Sequence, residues 1–330
     1  MNGKDSSLPD LEEQLCRAGA EDHDGRPKLF RALSLPPPSL EPSPAPDASV
    51  VDHVKWAVAR HVRGLLAHDP GTRLGREPES LHQMRVAIRQ LRAILRAAKP
   101  LLVPEWAESL QHELRWLGQL LGPARDLDVQ LAYFRGESAV LDARDRKPLA
   151  EFIAHLEGER NKIHGLLLNE LTSARYLDLI RRLQQAKHDP IIVETTITLH
   201  DIAKSAFTKL RKTIQHLGPS PTNSKLHEIR IKTKRARYAA QLAELADGKS
   251  VTRFIKTAGT VQDVLGMHQD AIQAEAHVRT FLKHSTNVRA AFVAGRMVER
   301  QRERREEARK NMHALWKKLL KRGEKAWDDR

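Results

Sequence analysis

Aromatic residues are scarce in this 330-residue chain, where Phe, Trp and Tyr together make up 5%. Binding of single-stranded nucleic acid by base stacking needs a set of exposed rings, so this poverty counts against that mode. Cysteine is all but missing. The one thiol, Cys16, lies in a polar N-terminal stretch, which excludes a disulfide framework and a thiolate metal cluster and fits a reducing cytoplasm. Long hydrophobic runs are lacking too, since no stretch approaches the roughly 18 apolar residues that mark a membrane-spanning helix. Residues 1–30 carry Asp10, Glu12, Glu13, Glu21 and Asp22 where a signal peptide would be apolar. Neither export nor membrane spanning is expected.

What the chain has in excess is positive charge. The formal net charge is +14, and it is unevenly placed. Residues 1–50 hold 5 Lys/Arg against 9 Asp/Glu, which leaves a net charge of +18 on residues 51–330. Such a field attracts polyanions at long range, whether nucleic acid, anionic membrane or polyphosphate.

Residues 1–49 contain SLPPPSLEPSPAPDAS, a run that can neither continue a helix nor donate to a sheet, and read as a disordered or extended leader. Within it, LEEQLCRAG is a weak candidate for a short helix. From Val50 onward apolar residues recur at intervals of three and four, with no competing alternation of strand type. Breaks are expected at DPGTRLGREP, KPLLVPE, KHDP and LGPSPTNS. A long charged segment runs from Val288 to Lys321, and residues 298–322 read as one long helix closing the second bundle, with Trp316 and Leu320 facing in; a coiled-coil partner helix is the alternative. The fold class is all-α.

An internal repeat runs through the helical part. LHQMRVAIRQLRAIL (81–95) aligns without gaps on LHEIRIKTKRARYAA (226–240), AVARHVR (57–63) on AFTKLRK (206–212), and LLGPARD (120–126) on VLGMHQD (264–270). Two copies of this length predict two helical bundles, residues 50–190 and 191–330, related by a pseudo-twofold axis.

The repeated segment has an unusual charge pattern. At about 100° per residue, His82, Arg85, Arg89, Arg92 and Arg96 fall within an arc of about 80°. Leu81, Met84, Ile88, Leu91 and Leu95, each one position earlier, form the adjoining core arc. Solvated helix faces usually mix signs so that Glu and Lys pair at i, i+4. Here no acidic residue occurs between Glu79 and Glu105, nor in the second copy between Glu228 and Glu244, where Arg230, Lys232, Lys234, Arg235 and Arg237 stand. Like charges at these spacings repel, so keeping them twice points to a compensating anion. Arg offers a forked donor to phosphate oxygens and Lys a point charge. A row with about 4.5–6 Å between successive cations suits a linear chain of phosphates. His82 and His227 lack a second histidine at i+4, where Val86 and Ile231 stand, which argues against metal ligation and for hydrogen bonding to the anion. Phosphate nearby would favour their protonated form.

At these residues the chain resembles the CHAD family, the conserved histidine α-helical domain. The resemblance rests on LHQMRVAIRQLR and LHEIRIKTKRARY, together with LGPARDLD after the first copy, and it covers about residues 50–328. It implies a pair of four-helix bundles with a basic central groove or pore that binds inorganic polyphosphate, often at polyphosphate granules, without catalysis or a cofactor. Carried over position by position, the anion contacts are His82, Arg85, Arg89 and Arg92, then His227, Arg230, Lys234 and Arg237. Arg60, Arg63, Lys209 and Lys212 on the preceding helices are helpers, and Asp126 and Asp270 orient basic side chains. The second copy departs from the pattern: Ala236 replaces a larger apolar residue, and VLGMHQDAI lacks the Arg and later Asp of LGPARDLD. Unequal halves are therefore expected. Many family members carry a CYTH-type triphosphate hydrolase domain ahead of this one; no ExExK motif occurs here, so no catalysis is expected from that source.

Two rival readings remain at this point. A nucleic-acid binder has the right charge but no helix-turn-helix, zinc-finger or RNP-type aromatic pattern. An HD-type metal-dependent phosphohydrolase is suggested by the dipeptides His68-Asp69, His188-Asp189 and His200-Asp201, two of which precede Pro and read as helix ends.

Overall fold

The computed structural model describes residues 42–188, 190, 192–193, 195–283 and 288–328. The candidate helix around Cys16 and most of the Pro-rich leader lie outside them. Among the described residues the chain is all-α, with ten helices and no strand. These are α1 (Val50–Leu74), α2 (Pro78–Ala97), α3 (Pro104–Val140), α4 (Ala143–Leu171), α5 (Ala174–His188), α6 (Leu199–Gln215), α7 (Asn223–Asp247), α8 (Lys249–Leu282), α9 (Val288–Lys310) and α10 (Met312–Trp327). An isolated antiparallel bridge between Leu102 and Ile192 ties the α2–α3 turn to the segment ahead of α6.

Local chemistry accounts for several helix ends. Ser49 caps α1, Thr222 caps α7, and Thr198 and Asp201 form a reciprocal capping box on α6. Pro78 and Pro104 occupy the first positions of α2 and α3, where a missing N–H costs nothing. Gly75 ends α1 in the left-handed region at φ 65°.

Two expectations are corrected. The helix does not break at Asp69-Pro70 but runs on to Leu74. Tertiary anchoring outweighs the proline, because Asp69 accepts hydrogen bonds from Arg73 Nε (2.9 Å) and Tyr176 Oη (2.8 Å) while Thr72 Oγ1 donates to the His68 carbonyl. The segment after Val288 is two helices, not one, divided at Asn311. Trp316 of α10 is buried and Leu320 packs against the core from its edge.

Helix α2 packs on α1 and α3, α7 packs on α6 and α8, and α2 and α7 pack on each other. Leu81, Met84, Ile88, Leu91 and Leu95 of α2 belong to one apolar cluster with Leu226, Ile229 and Ala240 of α7, so the core runs across the junction. A second cluster joins the far halves of α3 and α8 to α4 and α9 around Phe134, Phe152, Val278 and Met297. The α9 arginines serve that region: Arg296 pairs with Asp145, Arg300 with Glu137 and Arg305 with Glu275.

Candidate functional site

The core stripe of α2 decides where its charges go. Leu81, Met84, Ile88, Leu91 and Leu95 are at most 5% exposed, which places His82, Arg85, Arg89, Arg92 and Arg96 on the flank beside the core. Helix α7 repeats the arrangement, with Leu226, Ile229, Thr233, Ala236 and Ala240 buried and His227, Arg230, Lys234 and Arg237 one position later. Because α2 and α7 pack directly, the two flanks meet.

Arg85, Arg89, Arg230 and Lys234 converge there. Arg89 Nε donates to Tyr238 Oη across the junction at 3.1 Å. Lys234 is surrounded by protein and by three guanidinium groups; burial first, then repulsion from Arg230, Arg89 and Arg85, brings its ammonium down to about 7. Arg230 is lowered by burial and by Arg89, with Asp270 acting the other way. The Arg85–Lys234 and Arg89–Arg230 proximities exchange with each other when residues 81–95 are laid on 226–240. Arg230 Nε and Arg237 Nε are buried donors without an acceptor among the described residues, an uncommon state for a native donor.

The two aspartates stand beside this cluster. Asp126 accepts a hydrogen bond from Arg85 Nη2 at 3.3 Å. Asp270 keeps contact with solvent, yet the protein crowded around it holds its carboxyl above the usual carboxylate value, against the pull of Arg230 and Arg304. Gly122 of α3 leaves the space that Arg85 needs: a Cβ there would sit 2.6 Å from Arg85 Nη1. Gly118, one turn earlier, similarly borders Arg92.

His82 heads the α2 row. Burial, then Arg125, lowers its imidazole below the usual histidine value, so the free protein holds it neutral. Arg92 lies farther along, near Arg96 and Arg115, and Arg237 Nη1 donates to Gln262 Oε1 at 3.1 Å. Arg60 is exposed, with its guanidinium 5.4 Å from the Trp56 ring. Arg63 is half-buried on α1, while Lys209, Lys212 and His227 are exposed. No described hydrogen bond, ion pair or charge interaction ties these five to the converging cluster.

Several contributors escaped the sequence reading. Arg125 acts on both His82 and Arg85, and it was visible as the Arg of LGPARD, which Gln269 replaces in the second copy. Tyr238 adjoins Arg237 in sequence, but its partnership with Arg89 spans 149 residues. Arg304 of α9 approaches Asp270 from a helix with no place in the repeat. Two of the HD dipeptides are otherwise engaged: Asp69 holds Arg73 and Tyr176, Asp201 completes the capping box of α6, and His200 Nδ1 lies 3.2 Å from Asp247; Asp189 of the third lies outside the described residues. No group of three metal-ligating side chains occurs among the described residues.

Comparison with known proteins places this arrangement in a family. The chain is 29% identical over 339 aligned residues to the uncharacterized proteins Rv2226 and MT2285 from two strains of Mycobacterium tuberculosis, covering 98% of this chain and 64% of theirs. It therefore spans just under two thirds of the length of these relatives. Its fold resembles the crystal structure of the CHAD domain from the plant Ricinus communis, with a TM-score of 0.67, 23% identity and coverage of 84% of this chain and 94% of that one. It also resembles PptA from Streptomyces chartreusis, with a TM-score of 0.64, 18% identity and coverage of 81% and 98%. The sequence model of the CHAD domain matches residues 57–279, the span that holds both basic rows, and the chain belongs to the CHAD domain family.

Proposed function

We propose that this chain binds inorganic polyphosphate without catalysis, through a basic groove formed where α2 and α7 meet. The observation that carries the reading is the convergence of Arg85, Arg89, Arg230 and Lys234, close enough to bring the lysine down to about 7. Cations gathered this way repel one another in the free protein, and a polyanion turns that repulsion into attraction. Arg92, Arg237, His82 and His227 extend the contact surface along the two helices, and Arg60, Arg63, Lys209 and Lys212 add charge around it. Asp126 and Asp270 hold guanidinium groups in place. The two halves, residues 50–190 and 191–330, act as pseudo-twofold partners around the groove. The family resemblance supplies the choice of polyphosphate among polyanions, and with it a cytoplasmic site at polyphosphate granules.

The direct test replaces Arg85, Arg89, Arg230 and Lys234 by Ala in the full chain. Long-chain polyphosphate binding is lost while far-ultraviolet circular dichroism is kept. Wild-type affinity in the folded variant refutes the reading. For the wild type, the logarithm of affinity falls steeply with the logarithm of salt concentration, because each phosphate contact releases counterions; a flat dependence points to a neutral ligand.

A further inference from the structure

The two basic rows continue unequally beyond the point where they cross. Past Arg89, helix α2 carries Arg92 and Arg96, α3 brings Arg115 alongside, and α7 brings Arg235 from the other half. Arg92 lies beside Arg96 and Arg115, and Arg96 beside Arg235 and Arg115; no carboxylate is among the groups that act on either. Arg85 and Arg230 differ in this respect, since each has an aspartate close by. Arg96, Arg115 and Arg235 are solvent-exposed and Arg92 is half-buried.

The equivalent place in the second copy keeps one of the four cations, Arg237. The gapless alignment of the repeat lays Arg96 on Gln241 and Arg235 on Gln90, and its extension back through Leu114/Ala258, Leu117/Val261 and Leu121/Leu265 lays Arg115 on Gly259. All six of those apolar residues are buried, which supports the register. Arg237, the counterpart of Arg92, would lie 3.8 Å from a Cβ at Gly259 and donates to Gln262.

We propose that Arg92, Arg96, Arg115 and Arg235 form a second anion subsite, on one side only, which receives the phosphates of a polyphosphate chain that runs on past the α2–α7 crossing. The inference rests on the polyphosphate reading above. The subsite makes the binding path one-ended. Arg85 and Arg96 are separated by eleven residues of α2, a rise of about 16 Å, so only a ligand long enough to cover that distance engages both subsites. Long chains are thereby favoured over tripolyphosphate by the geometry of one helix.

The test compares the wild type, R96Q/R115Q/R235Q and R85A/R89A/R230A/K234A in the full chain, by calorimetric titration with long-chain polyphosphate and with tripolyphosphate. The three glutamines replace exposed side chains, and circular dichroism checks the fold; R235Q alone serves as a milder second variant with an effect of the same sign. The expected result for the triple variant is at least a tenfold loss of affinity for long chains, a salt slope smaller by about 2, and unchanged tripolyphosphate binding. Unchanged long-chain affinity and salt slope, with the crossing variant still defective, overturn the second subsite and leave the polyphosphate reading standing. Equal losses for both ligands show a general field effect and also overturn it. Wild-type binding by the crossing variant overturns the polyphosphate reading itself, and the subsite with it.

Discussion

Lys234 couples anion binding to protons, and the size of the effect follows from its surroundings. Free, its ammonium titrates at about 7, against an ordinary value of 10.5, because burial and Arg230, Arg89 and Arg85 disfavour the charge. A bound polyphosphate neutralises those neighbours and restores the ordinary value or close to it. Binding then takes up about half a proton at pH 7 and nearly one at pH 8.5. Above about 7 the free protein must first be protonated, so affinity falls roughly 50-fold from pH 7 to pH 9, about 2.3 kcal/mol. Calorimetric titrations in buffers of different ionisation enthalpy count the protons directly. Lys234→Arg, charged throughout this range, removes the uptake and the pH dependence while retaining binding. The same shift acts on folding with a definite sign: between about 7 and 10.5 the unfolded chain holds a proton that the native one lacks, so this group makes the ligand-free protein more stable as pH rises. Lys234→Met accordingly stabilises the ligand-free protein at pH 7, seen as a higher melting temperature. Zero proton uptake together with level affinity from pH 7 to pH 9 would refute the convergence at its centre.

Three further outcomes are expected. Gly122→Ala drives a methyl group into the Arg85 guanidinium, so it weakens polyphosphate binding severalfold while the helical signal persists; the check is titration beside circular dichroism. Leu91→Ala removes a fully buried side chain between the basic rows and costs about 2–5 kcal/mol in urea unfolding, with affinity retained under native conditions. The His82 imidazole, neutral in the free protein through burial and Arg125, shifts its nuclear magnetic resonance titration to higher pH when tripolyphosphate is added.

The local pattern of the sequence shows the helices and the basic rows, because both depend on spacing within a few residues. Leu81 and Leu226 each precede a histidine, and their burial alone determines which flank His82 and His227 occupy. Partners from distant helices left no such trace. The bond from Arg89 to Tyr238, the approach of Arg125 to His82 and that of Arg304 to Asp270 depend on which helices cross and at what height. The misplaced break at Asp69-Pro70 has the same origin, since Tyr176 of α5 holds Asp69 in a helix that the proline by itself disfavours. Lys209, Lys212 and His227 carry the repeat's pattern, but exposure leaves them outside the converging set. Charge at a repeat position identified candidates, and the packing of α2 on α7 brings Arg85, Arg89, Arg230 and Lys234 together.

The most direct test of the central claim is a titration of the protein with long-chain polyphosphate, set against duplex DNA at equal phosphate concentration and physiological salt. Tight polyphosphate binding that DNA cannot match or displace is expected, because rows that converge on one cluster accept a single phosphate chain more closely than a duplex. Equal and weak binding of the two would contradict it and reduce the rows to a nonspecific polycation.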